Sequence, residues 1–145
     1  MQHIDKPIYI IGISTIAANN PDGFKKIGEL WQSFFTKDIK GKLTNTISDH
    51  IFCAYSDYEN GYQGKYKTTL GYKVSDINHI PVGLNAIIIP VGNYETYIAK
   101  SNSPEDTLTT WQKIWALEPE KYPRTFIADF QEHTDKEVLI NVGYK

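Results

Sequence analysis

The sequence has too few cysteines to form a disulfide and no large excess of charge of either sign. Its one cysteine, Cys53, excludes an intramolecular disulfide and a zinc-binding cysteine cluster, and suggests a reducing compartment. Cys53 lies in an apolar run, which favours a buried, inert thiol over a nucleophile. The formal net charge is −2, with basic and acidic residues interspersed. This balance argues against direct contact with nucleic acid.

Targeting and membrane signals are also missing. The N-terminus has no basic region ahead of a long apolar core, so we expect no signal peptide. The longest apolar runs have the length of a β-strand and are well short of a membrane span. We therefore expect a soluble, cytoplasmic protein that does not contact the membrane. At 145 residues, the chain is expected to form one domain over residues 1–145 with a sizeable core.

Motifs for catalysis or metal binding are absent as well. The histidines at positions 3, 50, 79 and 133 are scattered, and none has the spacing of metal ligands. There is no G-x-S-x-G, no P-loop and no G-x-G-x-x-G, and no serine has a recognisable His/Asp partner. We expect neither a metal nor another cofactor.

What the chain does have is many aromatic residues, 13% of the total, and an internal repeat. The pattern Trp-Gln-x-apolar-aromatic occurs at residues 31–35 and again at 111–115. Each copy closes a predicted helix that begins with a capping side chain, a proline and one or two acids, at residues 20–22 and 103–106. The predicted repeat covers roughly residues 8–74 and 84–144.

The predicted secondary structure follows the same order in both halves. Apolar periodicity and turn residues predict two strand–helix–strand–strand modules, and therefore an α+β fold. The first module has strands at 8–16, 51–58 and 66–74 and a helix at 21–36. The second has strands at 84–99 (kinked at Pro90), 125–133 and 137–144, and a helix at 104–117.

Aromatic side chains stand beside acidic and polar ones at several places. Any single one is more often core than ligand contact, because Tyr favours strands and a Trp pair at i, i+4 commonly packs inside. As a set, they suggest an aromatic cleft between the two halves, where an organic cation would be held by ring faces and one carboxylate. The candidate ligand-binding residues are Tyr55, Tyr58, Glu59, Tyr94, Tyr97, Trp111, Trp115, Gln131, Glu132 and His133.

Several motifs together resemble the GyrI-like effector-binding domain. This domain occurs at the C-terminus of AraC/XylS-type and multidrug-binding MerR-type regulators, and as free-standing proteins that include some from mobile gene cassettes. The matching residues are Leu30-Trp31, residues 55–59, Gly64-Lys65-Tyr66, Leu70-Gly71, residues 89–94, residues 111–115 and Asp129-Phe130-Gln131. The resemblance implies two modules related by a pseudo-twofold axis, a ligand cleft between them, and recognition of hydrophobic, often cationic, small molecules. In relatives fused to a DNA-binding domain, that binding controls transcription.

One position departs from the family pattern. Relatives usually carry a glutamate that faces the cleft after the Asp-Phe pair, and this chain has Gln131 there, with Glu132 next to it. Neighbours in a strand point to opposite faces, so Gln131 and Glu132 are not expected to share the cleft unless a bulge re-aims one of them. Either the site has lost its buried charge, or Glu59, Glu95 or Glu132 supplies it.

The resemblance and the residues together predict a non-enzymatic module that binds a hydrophobic or cationic small molecule. Two alternatives stay open. One is a protein-interaction module, such as a gyrase-inhibitor-like effector with a separate protein partner or a homodimer. The other is a hydrolase of strained, electrophilic small molecules, because some free-standing relatives resemble such hydrolases. Gln131 argues against the hydrolase, because that activity needs the acid.

Overall fold

The computed structural model describes every residue from Met1 to Lys145 and contains two α-helices and eight β-strands. A short 3₁₀ turn (Lys40–Lys42) precedes the third strand. The helices are α1 (Pro21–Thr36) and α2 (Pro104–Trp115). The strands are β1 (Gln2–Ile4), β2 (Ile8–Ala18), β3 (Thr46–Ser56), β4 (Lys65–Val74), β5 (Asn85–Ile89), β6 (Gly92–Ala99), β7 (Ala128–His133) and β8 (Val138–Tyr144).

Both helices begin as the capping pattern predicts. The Asn20 side chain accepts a hydrogen bond from the N–H of Gly23 at 2.7 Å, and Pro21 follows in the first helical turn. Ser103 does the same for the N–H of Asp106 at 3.2 Å, ahead of the second helix. These caps satisfy N–H groups that have no partner inside the helix, so the two helices start at equivalent points of the repeat.

All eight strands form one antiparallel sheet in the order β1-β6-β8-β7-β3-β4-β2-β5. The central pair is β7 and β3, and the order on one side (β8, then β6) mirrors the order on the other (β4, then β2). The predicted α+β fold of two strand–helix–strand–strand modules is therefore confirmed, with the pseudo-twofold axis between β3 and β7.

The sheet edges show an exchange that the sequence did not reveal. Strand β1 precedes the first module but pairs with β6 of the second, and β5 precedes the second module but pairs with β2 of the first. The predicted single strand over residues 84–99 was wrong, because the chain breaks at Pro90 and β5 and β6 lie near opposite edges of the sheet. Gly92, with φ of 155°, starts the second of these strands in a backbone conformation that favours glycine.

The two faces of the sheet have separate cores. On one face, α1 covers a cluster that includes Leu30, Phe34 and Cys53, while α2 covers a second cluster built around Trp111 and Ile140. On the other face the sheet curls over its own apolar side chains, among them Ile10, Ile89, Phe52, Tyr94 and Phe130. The helices therefore lie side by side on one face, and the gap between them runs above β3 and β7.

We propose that residues 1–145 unfold as one cooperative unit, because each edge strand is bonded to the other module. In a Trp31→Phe variant, tryptophan fluorescence reports only the second module. In a Trp111→Phe/Trp115→Phe variant, it reports only the first. In each variant, the urea midpoint from fluorescence should equal that from far-UV circular dichroism. Separate midpoints for the two modules would show that they unfold independently.

The contact between β2 and β4 needs glycine. A Cβ atom on Gly12 would lie 1.8 Å from the carbonyl oxygen of Leu70, which belongs to the backbone and cannot move aside cheaply. We expect Gly12→Ala to lower the free energy of unfolding by about 1–3 kcal/mol or more. The matched control is Gly28→Ala in α1, where nothing lies within 4 Å of the added atom. That change should raise stability by about 1 kcal/mol. Urea titrations measure both changes, and equal effects would contradict the packing argument.

Candidate ligand-binding cavity

A cavity of about 800 Å³ opens between α1 and α2, above the central strands β3 and β7. Its volume lies within the range of sites that hold drug-sized molecules, which is about 300–1,000 Å³. Half of its 24 lining residues are hydrophobic. The lining comprises Asn19, Phe24, Ile27, Gly28, Trp31, Phe35, Asp49, His50, Ile51, Tyr55, Tyr58, Tyr62, Tyr66, Asn102, Pro104, Thr107, Leu108, Trp111, Trp115, Arg124, Gln131, His133, Thr134 and Asp135.

The two walls of the cavity carry equivalent ring pairs from the repeated motif. On α1, the rings of Trp31 and Phe35 stack with centroids 5.8 Å apart. On α2, the rings of Trp111 and Trp115 stack with centroids 6.3 Å apart. In each pair the residues are four apart and lie on one side of the helix, so the same five-residue motif supplies aromatic surface from both modules.

The floor is polar but well bonded. The side chain of Gln131 is 2% exposed, and its Oε1 atom accepts hydrogen bonds from the hydroxyl of Tyr55 at 2.5 Å and from Nε1 of Trp111 at 3.4 Å. Burial raises the pKa of Tyr55 well above its ordinary value, so the phenol stays protonated and donates. The two donors orient the amide of Gln131 and leave its NH₂ group available to a ligand.

A buried ion pair lies beside this floor. Asp129 is fully buried, and its Oδ2 atom accepts a hydrogen bond from Nη2 of Arg124 at 2.5 Å and a second from the hydroxyl of Tyr58. Its other oxygen accepts from the N–H of Gly143 at 2.8 Å. Burial raises the pKa of Tyr58 well above its usual value, and the negative charge of Asp129 is the second-largest cause of this shift. Asp129 is thus fully bonded inside the protein, and its charge is balanced by Arg124.

His133 lies across the cavity against α1. Its ring meets the ring of Trp31 edge-on with centroids 4.9 Å apart, and its Nε2 atom is buried without a hydrogen-bond partner. Burial lowers the pKa of His133 to about 4, so the imidazole is neutral at physiological pH. The cavity interior therefore carries one ion pair and no other charged group.

Six of the ten predicted ligand-binding residues line the cavity and four do not. Tyr94 is 3% exposed in the core on the opposite face of the sheet, and Tyr97 hydrogen-bonds Tyr144 at 2.8 Å behind α2. Glu59 is exposed on the hairpin, and Glu132 points away from Gln131 and bonds His50 at 2.6 Å. The six that line the cavity are Tyr55, Tyr58, Trp111, Trp115, Gln131 and His133.

The positions of the acidic residues show whether Glu59, Glu95 or Glu132 supplies a charge to the cavity in place of Gln131. Glu59 and Glu132 lie outside the cavity lining, and so does Glu95, which is 3.4 Å from the N-terminal ammonium group. The only acids in the lining are Asp49 and Asp135, and both are exposed at the rim. The interior has therefore lost the buried free carboxylate that the family pattern would place at residue 131.

Sequence reasoning missed several lining residues. Trp31 and Phe35 had a usable signal, because they occupy the same places in the repeat as Trp111 and Trp115. Phe35 is 69% exposed, so the core does not cover most of its side chain. Tyr66 lies on the same face of β4 as Leu70, so strand alternation turns it towards the helices, although the sequence singled it out only within the Gly64-Lys65-Tyr66 motif. Arg124 gave no signal, because it lies in the loop after α2.

Comparison with known proteins agrees with this geometry. Residues 5–141 match the model of the family described as Cass2, integron-associated effector binding protein. The chain belongs to this family. The resemblance to GyrI-like effector-binding domains is thereby confirmed.

Solved structures show how widely this fold is shared. An integron cassette protein from the mobile metagenome of Vibrio cholerae is 20% identical, with a TM-score of 0.81, and the match covers 99% of this chain and 94% of that one. The protein SAV2435, solved with tetraphenylphosphonium bound, is 13% identical, with a TM-score of 0.80 and coverage of 99% and 92%. A Staphylococcus aureus MU50 protein provisionally assigned to transcription regulation is 14% identical, with a TM-score of 0.76 and coverage of 99% and 95%.

Among curated proteins, none matches this Cass2-family sequence significantly. Neither helix is long and apolar enough to cross a membrane. No group of three or more His, Cys, Asp or Glu side chains is arranged to hold a metal ion.

The neutral state of half-buried His133 gives a pH dependence with a definite sign. The pKa of this histidine is about 4 in the folded protein, below the value of about 6.5 in an unfolded chain. Between these values the unfolded state binds the proton and the folded state does not, so stability falls as the pH is lowered through this window.

We expect the free energy of unfolding to fall by up to about 1.4 kcal/mol per pH unit on this account, and the fall to be smaller in His133→Gln. Urea titrations at a series of pH values measure it. The control His79→Gln, at an exposed histidine, should keep the wild-type slope. If His133→Gln also kept that slope, burial of the neutral imidazole would not be its source.

Proposed function

We propose that the cavity binds a hydrophobic small molecule with flat aromatic parts and a shielded positive charge. The observation that carries this proposal is a cavity of about 800 Å³ whose two walls are tryptophan-containing ring pairs from equivalent helices. Ring faces attract a desolvated cation by about 0.5–2 kcal/mol each, and their apolar area favours a greasy ligand body.

The charge distribution favours one kind of cation. A primary ammonium group needs hydrogen-bond acceptors when it leaves water, and a buried carboxylate is the usual partner. Here Asp129 is already bonded to Arg124, Tyr58 and the backbone of Gly143. A quaternary or phosphonium cation needs no hydrogen bonds, because carbon groups surround its charge. Such a cation suits ring walls without a free acid, and the exposed rim acids add weak attraction at the mouth.

The structural relatives support the same ligand class. SAV2435, whose fold matches over 99% of this chain, has been solved with tetraphenylphosphonium, a hydrophobic cation of this type. The two proteins are 13% identical, so the shared fold supports a common ligand class, and the cavity rings of this chain support the place and the chemistry proposed for it.

We propose a binding role without turnover. A hydrolase would need a side chain in the cavity to move a proton or attack the substrate. Gln131 is an amide and cannot replace a carboxylate in that role, and Glu132 lies outside the cavity lining, bonded to His50. The phenols of Tyr55 and Tyr58 both donate to buried partners, and burial raises their pKa values well above the usual range.

The test compares two ligands of the same shape and opposite charge. Tetraphenylphosphonium should bind the protein more tightly than tetraphenylborate, as measured by isothermal titration calorimetry. Equal or tighter binding of the borate would contradict a cation site, and no binding of either ion would contradict the proposed ligand class.

A pair of variants places the ligand in the cavity. Trp31→Leu removes a half-buried ring from the α1 wall and should weaken tetraphenylphosphonium binding about 2- to 30-fold. The matched control is Tyr9→Leu, which removes a half-buried ring from β2 outside the cavity lining. Tyr9→Leu should leave the affinity unchanged. If both variants bound equally well, the ligand would lie elsewhere.

A further inference from the structure

A second pocket of about 360 Å³ lies beside the C-terminal end of α2 and adjoins the main cavity. The two share Tyr62, Trp115 and Arg124. The rings of Tyr62 and Trp115 are nearly parallel, with centroids 6.3 Å apart and planes 13° apart, and form part of the boundary between the two spaces. Tyr62 belongs to the exposed hairpin between β3 and β4, so this boundary is made of side chains rather than of a strand.

Arg124 is the charged residue that faces both spaces. Its side chain is only 8% exposed, and its guanidinium group lies between two rings, 4.2 Å from the centroid of Phe126 and 5.6 Å from that of Trp111. Phe126 has φ of 53°, a left-handed conformation that is rare for a bulky residue. Residues with strained backbones cluster at functional sites. At Phe126 this conformation places the ring against the guanidinium group of Arg124.

The hydrogen-bonding capacity of Arg124 is largely unused. A guanidinium group has five N–H donors, and the one hydrogen bond that Arg124 makes runs from Nη2 to Asp129. Its Nε atom is buried without any partner. Because Nε is closed off, an acceptor in either pocket can reach only the other unpaired donors, above all Nη1, which makes no hydrogen bond and is not closed off.

We propose that the second pocket is a subsite in which Arg124 binds the oxygen acceptor, carboxylate or carbonyl, on a side arm of the ligand whose aromatic body fills the main cavity. This inference rests on the proposed function, because the body must bind first. The Arg124–Asp129 pair is neutral as a whole, so it accepts a neutral carbonyl, while the two N–H groups on one edge of the guanidinium also suit a carboxylate. The natural ligand would then be an aromatic cation with a polar arm.

The experiment uses three phosphonium ions with the same body. Pentyl-triphenylphosphonium has an apolar arm, carboxybutyl-triphenylphosphonium ends the same arm in a carboxylate, and carbamoylbutyl-triphenylphosphonium ends it in an amide. In the wild-type protein, the compound with the carboxylate arm should bind at least about tenfold more tightly than the pentyl compound, because hydrogen bonds to a charged group are stronger than those between neutral groups. If the amide compound binds as tightly as the carboxylate compound, the subsite recognises a carbonyl oxygen. If the amide compound binds no more tightly than the pentyl compound, the subsite requires a carboxylate.

Variants show whether the preference arises in the second pocket. In Arg124→Lys, which keeps a positive charge beside Asp129, the preference over the pentyl arm should fall to about twofold or less. Leu117→Phe narrows the second pocket without touching the ion pair, and should lower the preference in the same way. The matched control is Leu108→Phe, which narrows only the main cavity. It should weaken all three ligands and leave their ratio unchanged.

The outcomes separate this inference from the proposed function. If no phosphonium ion binds the wild-type protein, the proposed function fails and the subsite with it. If the pentyl compound binds but neither polar arm improves the affinity, the subsite alone is overturned. A preference that survives in both Arg124→Lys and Leu117→Phe would also overturn it, because the acceptor would then lie elsewhere.

Discussion

The antiparallel pairing of β3 with β7 is the constraint on which the rest of the structure depends. It joins the two modules at the centre of the sheet, with Cys53 opposite Gln131 and Ile51 opposite His133. Because side chains alternate along a strand, this register turns Gln131 and His133 towards the helices and Phe130 and Glu132 towards the other face. A shift by one residue would exchange the two sets and put a free acid in the cavity and an amide in the opposite core. The reciprocal pairing of β1 and β5 with the opposite modules closes the arrangement at its edges.

The buried Arg124–Asp129 pair sets the electrostatic character of the site. A fully buried carboxylate is tolerated here because it accepts hydrogen bonds from Arg124, Tyr58 and the backbone of Gly143. Those bonds also remove Asp129 as a partner for a ligand cation. With Gln131 at the neighbouring inward position and His133 neutral, the cavity interior presents ring faces and apolar area rather than a free charge. The same pair leaves most of the Arg124 donors unused, so the residue that neutralises the acid also presents unpaired donors to the cavity and the second pocket.

A symmetric scaffold here encloses an asymmetric cavity. The repeated motif supplies matching ring pairs, Trp31 with Phe35 and Trp111 with Trp115, from the two helices. What those rings contact differs between the modules. Trp111 donates to the amide of Gln131, whereas Trp31 packs edge-on against the unpartnered imidazole of His133. The second pocket adds to this difference, because it adjoins only the α2 side. The two helices thus present similar aromatic walls, while the residues of the floor and the loops make the two sides chemically distinct.

The sequence by itself determined the two helices, their caps, the internal repeat and the strand–helix–strand–strand order. Those features depend on periodicity and hydrogen bonds within a few residues, so the helices that follow Asn20 and Ser103 were predictable from local residues. It also indicated the aromatic rings and the loss of the acid at Gln131. The break of residues 84–99 at Pro90 into strands near opposite edges was decided by pairing partners far away in the chain. So was the division of the candidate residues, in which Tyr55 lines the cavity while Tyr94 lies in the opposite core. Both are tyrosines in strands, and only the sheet's register and curl, which arise from contacts between distant strands, fix the face on which each one lies.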